Sequence, residues 1–179
     1  MNTSLVAYFE HYGVAPFEVE ALFSILNSAF TVREREIERN YDNDYACMID
    51  INFPLEFNDN FFETFGHRQW DKITFLIKEM RRRTGNKGVM LIMQFVGMPA
   101  LSFIISMRHE NLFEFALEKM EILNELVSMQ TDSRKLPALI EKVQYDFDSN
   151  NFKWCPTTAW GNGTAYQYDD GEWVVSNQS

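Results

Sequence analysis

The chain is expected to fold as an α+β protein. The expected sheet is antiparallel and built from two hairpins, at about 31–53 and 88–107, with helices packed mainly on one face and an aromatic-rich C-terminal hairpin or tail. Three observations lead there. Residues 88–107 carry no charge across twenty positions, and Gly97, Met98 and Pro99 split the run into two strand-length pieces. Tyr45, Cys47, Ile49, Ile51 and Phe53 alternate with Ala46, Met48, Asp50 and Asn52, the two-residue period of a half-buried strand. Apolar residues then recur at helical spacing over 67–84 and 111–130.

Taken in order, Asn2 or Thr3 can cap a short helix through Tyr12 that Gly13 ends, and Pro16 suits the first turn of a second helix with Leu22, Ile25, Leu26 and Ala29 inward. Thr31 to Asn40 suits either a continuation of the preceding helix or, the reading preferred because the next segment wants a hairpin partner, a charged edge strand with Glu34, Glu36 and Glu38 opposing Arg33, Arg35 and Arg39. Residues 41–44 resemble the turn of a hairpin to the strand that follows. Asn60 and Glu63 fit a capping box that Gly66 interrupts or delays. The secure helix, 67–84, turns Trp70, Ile73, Leu76, Ile77 and Met80 inward and stops at Gly85.

In 88–107 the first piece is apolar on both faces and suits a central strand; the second sets Leu101, Phe103, Ile105 and Met107 against mostly small residues. Twenty uncharged residues are long enough to span a membrane, but the central turn signal and the two-residue period point to a buried hairpin instead. Asn111 and Glu114 make a second capping box for a helix to about Gln130, with Leu112, Phe115, Ala116, Leu123, Leu126 and Val127 buried. Asp132 or Ser133 can cap a shorter helix at 134–144. Beyond Phe147 helical periodicity is lost, and 165–175 reads as a small hairpin. Residues 1–146 are thus expected as an α+β core and 147–179 as an aromatic extension packed on the same domain.

This order of elements, over about 16–130, resembles the small acidic chaperones of bacterial type III secretion and related adaptor domains. The resemblance is one of topology and rests on no motif. It implies a sheet-plus-helix adaptor, and a fold by itself carries no function.

Composition narrows the classes. A net charge of −10, from 26 acids and 16 bases, argues against binding nucleic acid directly, because phosphates must be met by Lys and Arg. An aromatic content of 15% is too much apolar surface for a disordered acidic chain. Cys47 and Cys155 stand far apart and suit free thiols. With no basic apolar leader at the N-terminus, the expected location is cytoplasmic, in a cell or an infected host.

Chemistry-bearing motifs are sparse. His11, His67 and His109 have no second ligand at metal spacing and read as surface or capping residues. Asp146, Asp148 and Asn150 open like a calcium loop, but Asn151 and Thr157 stand where Gly and Glu are required. No nucleophile elbow, phosphate loop or dinucleotide fingerprint is present, so no catalytic residue, metal or cofactor is assigned.

Two charge patterns stand out. Glu110, Glu114, Glu118, Glu121 and Glu125 fall within roughly an 80° arc of the long helix, where repeated like charges repel unless something basic meets them. Between Arg68 and Lys87, seven bases face two acids; Arg81, Arg82 and Arg83 there suit a helix C-terminus or, more weakly, an anion site. Phe75 is placed away from the apolar stripe of its helix, as a contact residue or as one that the aromatic tail covers. The first expectation is therefore a non-enzymatic interaction protein, an adaptor, chaperone-like protein or inhibitor, docking a basic protein partner through the glutamate stripe and Phe75. One alternative is a ligand-binding protein or enzyme with a pocket between the sheet and the C-terminal tail, using His109 or Asp50. Another is an assembly subunit, homodimeric or larger, pairing through the edge strand.

Overall fold

The structure, a computed structural model, describes residues 5–39, 44–132 and 134–176. Its first element is a strand, β1 (Val6–Tyr12), where the sequence suggested a helix. Ala7, Phe9 and His11 are buried on one face while Tyr8 and Glu10 lie on the other. Val6, Tyr8, Phe9 and Tyr12 are strand formers, and that preference prevails over the cap at Asn2 or Thr3, which lies outside the described residues. Gly13 then turns the chain at φ +66, and a Cβ there would stand 2.3 Å from the Ala46 carbonyl oxygen.

Helix α1 (Pro16–Asn27) crosses to β2 (Thr31–Glu36), which pairs in parallel with β1. β3 (Cys47–Phe53) pairs antiparallel with the other side of β1. The hairpin expected over 31–53 is therefore not formed, because β1 lies between its two strands. Burial explains the order: β2 is exposed along most of its length and fits only an edge, whereas β3 buries every second residue and takes two neighbours. Of the turn expected at 41–44, residues 41–43 lie outside the described residues.

The sheet continues as β4 (Val89–Phe95), β5 (Ala100–Ile105), β6 (Lys142–Asp148), β7 (Lys153–Gly161), β8 (Thr164–Asp169) and β9 (Glu172–Val175), giving nine strands in the order β2-β1-β3-β4-β5-β6-β7-β8-β9. It is mixed, not antiparallel. β3 with β4 and β5 with β6 are parallel pairs, whereas β4 with β5 and all pairs from β6 to β9 are antiparallel. Parallel neighbours need a long crossover, and helices supply each one. α1 joins β1 to β2; α2 (Asp59–Phe65) and α3 (His67–Thr84) join β3 to β4; α4 (Glu110–Met120) and α5 (Asn124–Gln130) join β5 to β6.

The helix expected at 134–144 is absent from the described residues, Ser133 lying outside them. Turns lead into β6, whose Val143, Tyr145 and Phe147 are buried between half-buried Lys142, Gln144, Asp146 and Asp148. The division expected at residue 146 falls inside this strand. β7 completes the ladder despite Pro156, because the β6–β7 register shifts between Gln144 and Tyr145 opposite it.

A row of aromatic rings crosses the buried face, from Phe53 to Phe95 (4.9 Å), Phe95 to Phe103 (5.9 Å), and Phe103 to Tyr145 (5.3 Å) and Trp154 (5.6 Å). Phe61 of α2 meets Phe53, Phe95 and Trp70, and the Trp154 indole N–H donates to the Ala116 carbonyl of α4 at 3.0 Å. These contacts place α2 and α4 on that face. α4 is turned about one residue from expectation: Phe113, Ala116, Leu117 and Met120 are buried, while Phe115 is 37% exposed.

Candidate functional site

The glutamate stripe meets α3. Arg82 Nε lies 2.9 Å from Glu114 and 3.6 Å from Glu110, Lys78 Nζ 2.7 Å from Glu118, and His67 Nδ1 3.0 Å from Glu121. The repulsion along the stripe is thus answered within the chain by the basic edge of the neighbouring helix. Of the five glutamates, Glu125 makes no ion pair among the described residues. Glu114 does not act as a capping residue; α4 starts at Glu110, with His109 as its N-cap.

The arginines at the end of α3 are also engaged. Arg81 is buried and donates to the Gly85 carbonyl at 2.8 Å, Arg82 bridges to α4, and Arg83 pairs with the buried carboxylate of Glu18 on α1. Phe75 is 65% exposed. It precedes Lys78 and Arg82 by three and seven residues, so it stands on the edge of α3 that meets α4.

Past the stripe, the surface changes character. Asp59, Phe62 and Glu63 of α2, His67 of α3, Glu121 and Ile122 of the 3-10 turn Glu121–Leu123, and Asn124 and Glu125 of α5 line an open groove of about 480 Å³. Four carboxylates and one imidazole line it, with no Lys or Arg. Phe62 and Ile122 form its apolar part, and the His67 ring is stacked on Phe62 at 5.4 Å. From Ile122 an exposed apolar stripe runs on through Leu126 and Met129, spaced four and three residues apart. Leu126, expected in the core, belongs to this stripe; the 3-10 turn at Glu121–Leu123 interrupts the helix, and Leu123 and Val127 alone point in from this stretch.

The other candidate residues are dispersed. His11 is not a surface residue: it is buried, with Nε2 2.7 Å from Glu34 of β2. Asp50, on the sheet face away from the helices, accepts from the Gln94 amide through both carboxylate oxygens at 3.0 Å and from the Asn52 amide at 3.4 Å, and Lys142 donates to the other end of the Gln94 amide. Burial raises the Asp50 pKa, and the Gln94 hydrogen bonds partly offset it. Asp146 and Asp148 separate: the first accepts from Thr157 on the sheet face, the second from the Asn150 and Asn151 amides in the β6–β7 turn. Among the described residues no group of three His, Cys, Asp or Glu is placed to hold a metal ion, and no helix is long and apolar enough to cross a membrane. Burial pushes the Cys47 thiol up to about 11 and also raises the half-buried Cys155.

Sequence reasoning missed the groove because its walls come from three helices; the signal available was Ile122, Leu126 and Met129 recurring beside Glu121 and Glu125. No protein-family model matches the chain, and no curated protein or solved structure matches it. The resemblance to secretion chaperones therefore rests on element order alone.

Proposed function

We propose that the protein is a non-enzymatic interaction module that docks a basic, amphipathic helix of a partner protein. The observation that supports this reading is the acidic groove continued by an exposed apolar stripe. An apolar stripe at helical spacing is complementary to a second helix presenting its own stripe, and carboxylates beside it select Lys and Arg on the partner's flanks. The acidic docking surface is then centred on Asp59, Glu63 and Glu125, with Glu121 shared with His67, beyond Glu110, Glu114 and Glu118, which Arg82 and Lys78 of α3 meet.

Titration of the labelled protein with a model Leu/Lys amphipathic helical peptide, followed by amide chemical shifts, tests it. Shifts should centre on α2, Ile122 and α5, weaken with salt, and be lost in Ile122→Ser/Met129→Ser while surviving Glu118→Gln. Shifts spread over the whole surface, or unchanged in the Ile122→Ser/Met129→Ser variant, would overturn the reading.

A further inference from the structure

A more enclosed space of about 280 Å³ lies away from that groove, where the connection after α5 meets the C-terminal meander. Tyr145 of β6 lines it. This side chain is 1% exposed, and its hydroxyl has no hydrogen-bond partner among the described residues. Gln130, at the end of α5, lines the same space, and its buried Oε1 is likewise unpartnered. Proteins pair nearly all buried polar atoms, so two unpaired ones in one cavity point to something that satisfies both. The remaining walls are suited to a flat ring. Tyr168 and Trp173 face each other across β8 and β9 with ring centroids 5.0 Å apart, and both line the cavity. Lys135 lines it too and makes no ion pair among the described residues.

We propose that this cavity binds a small aromatic carboxylate carrying a ring hydroxyl or amino group. The ring packs on Tyr168 and Trp173, the carboxylate meets the Lys135 ammonium, and the polar substituents supply an acceptor for the Tyr145 hydroxyl and a donor for Gln130 Oε1. The volume is near the lower end for small-molecule sites, which selects a single ring. The site is independent of the helix groove and stands or falls without it.

The probes are p-hydroxybenzoate and p-aminobenzoate, with benzoate and phenol as controls lacking one polar group each. Binding is followed by the Trp173 indole resonance and by thermal shift. Saturable binding of the two probes is expected. It should weaken about fivefold to tenfold in Tyr145→Phe and in Lys135→Ala, and the controls should bind less tightly than either probe. No saturable response, or equal affinity in wild type and both variants, would overturn the proposal. Stability offers a second check without ligand. If the hydroxyl has no partner in the protein, Tyr145→Phe leaves the melting temperature unchanged or raised; a clear fall would show that it is paired internally and remove the basis of the site.

Discussion

Lys78 Nζ lies 2.7 Å from Glu118 Oε1, tying α3 to the last turn of α4. The pair is largely solvent-facing on the Glu118 side, so Glu118→Gln should lower stability by only about 0.2–1 kcal/mol, and molar salt should erase the difference. Urea denaturation of wild type, each single variant and the Lys78→Met/Glu118→Gln double variant measures the coupling. Zero coupling would mean that the stripe is not held by α3.

Phe61 is the hub of the aromatic core, with ring neighbours Phe53, Phe62, Phe65, Trp70 and Phe95. Phe61→Ala should cost about 3–5 kcal/mol, the range for deleting a fully buried aromatic side chain. Equilibrium denaturation reads it directly, and a cost below about 1 kcal/mol would contradict this packing.

Gly161 closes β7 against the chain that leads into β6. A Cβ at this position would stand 2.0 Å from the Leu139 carbonyl oxygen and 2.6 Å from the Ile140 Cα, both backbone atoms that cannot swing aside. Gly161→Ala should therefore destabilise the protein by more than the roughly 1 kcal/mol range of ordinary surface changes, and Gly163→Ala, with open space around it, by less than Gly161→Ala. Melting temperatures of the two variants decide between them.

Asp50 gives a pH signature. Its folded pKa is raised above the ordinary 3.8 by burial, so its ionisation opposes folding above the folded value. That opposition shrinks as pH falls through the folded pKa and is gone below the unfolded one. Asp50→Asn should accordingly melt higher than wild type at neutral pH, with the gap narrowing toward pH 3.8. A gap that widens on acidification would reverse the assignment.

The two thiols should differ. Cys47 is buried with its thiol pushed up to about 11, whereas Cys155 is half-buried. Ellman's reagent at mildly alkaline pH should modify Cys155 first and Cys47 only on unfolding. Peptide mapping of the labelled protein distinguishes them.

How far the fold could be read from sequence depends on which signals competed locally. The α3 stripe of Trp70, Ile73, Ile77 and Met80 is buried as its spacing predicts, because an eighteen-residue amphipathic pattern has no rival. β1 and β6 were misread although Ala7, Phe9 and His11, and Val143, Tyr145 and Phe147, recur at two-residue spacing. In both places a plausible helix cap upstream outweighed a short alternation, and those two strands are the ones whose loss hides the strand–helix–strand plan. The position of β1 between β2 and β3 has no local signature, since strand order is set by burial across the whole sheet. For the candidate site, the five glutamates could be placed on one face by spacing, but the hydrogen-bonded partners of Glu114, Glu118 and Glu121, which are Arg82, Lys78 and His67, lie 32 to 54 residues away and only the fold brings them together.

From β6 to β9 each strand is bonded to its neighbours in sequence, whereas β1 is clasped between two strands that come after it. The sheet can therefore unzip at only one margin without undoing long-range closure: β9 peels first, then β8, then β7. Amide protection should rise strand by strand toward the interior. The cavity walled by Tyr168 and Trp173 belongs to the peeling margin, so an occupant there acts as a clasp on the segment that opens most readily.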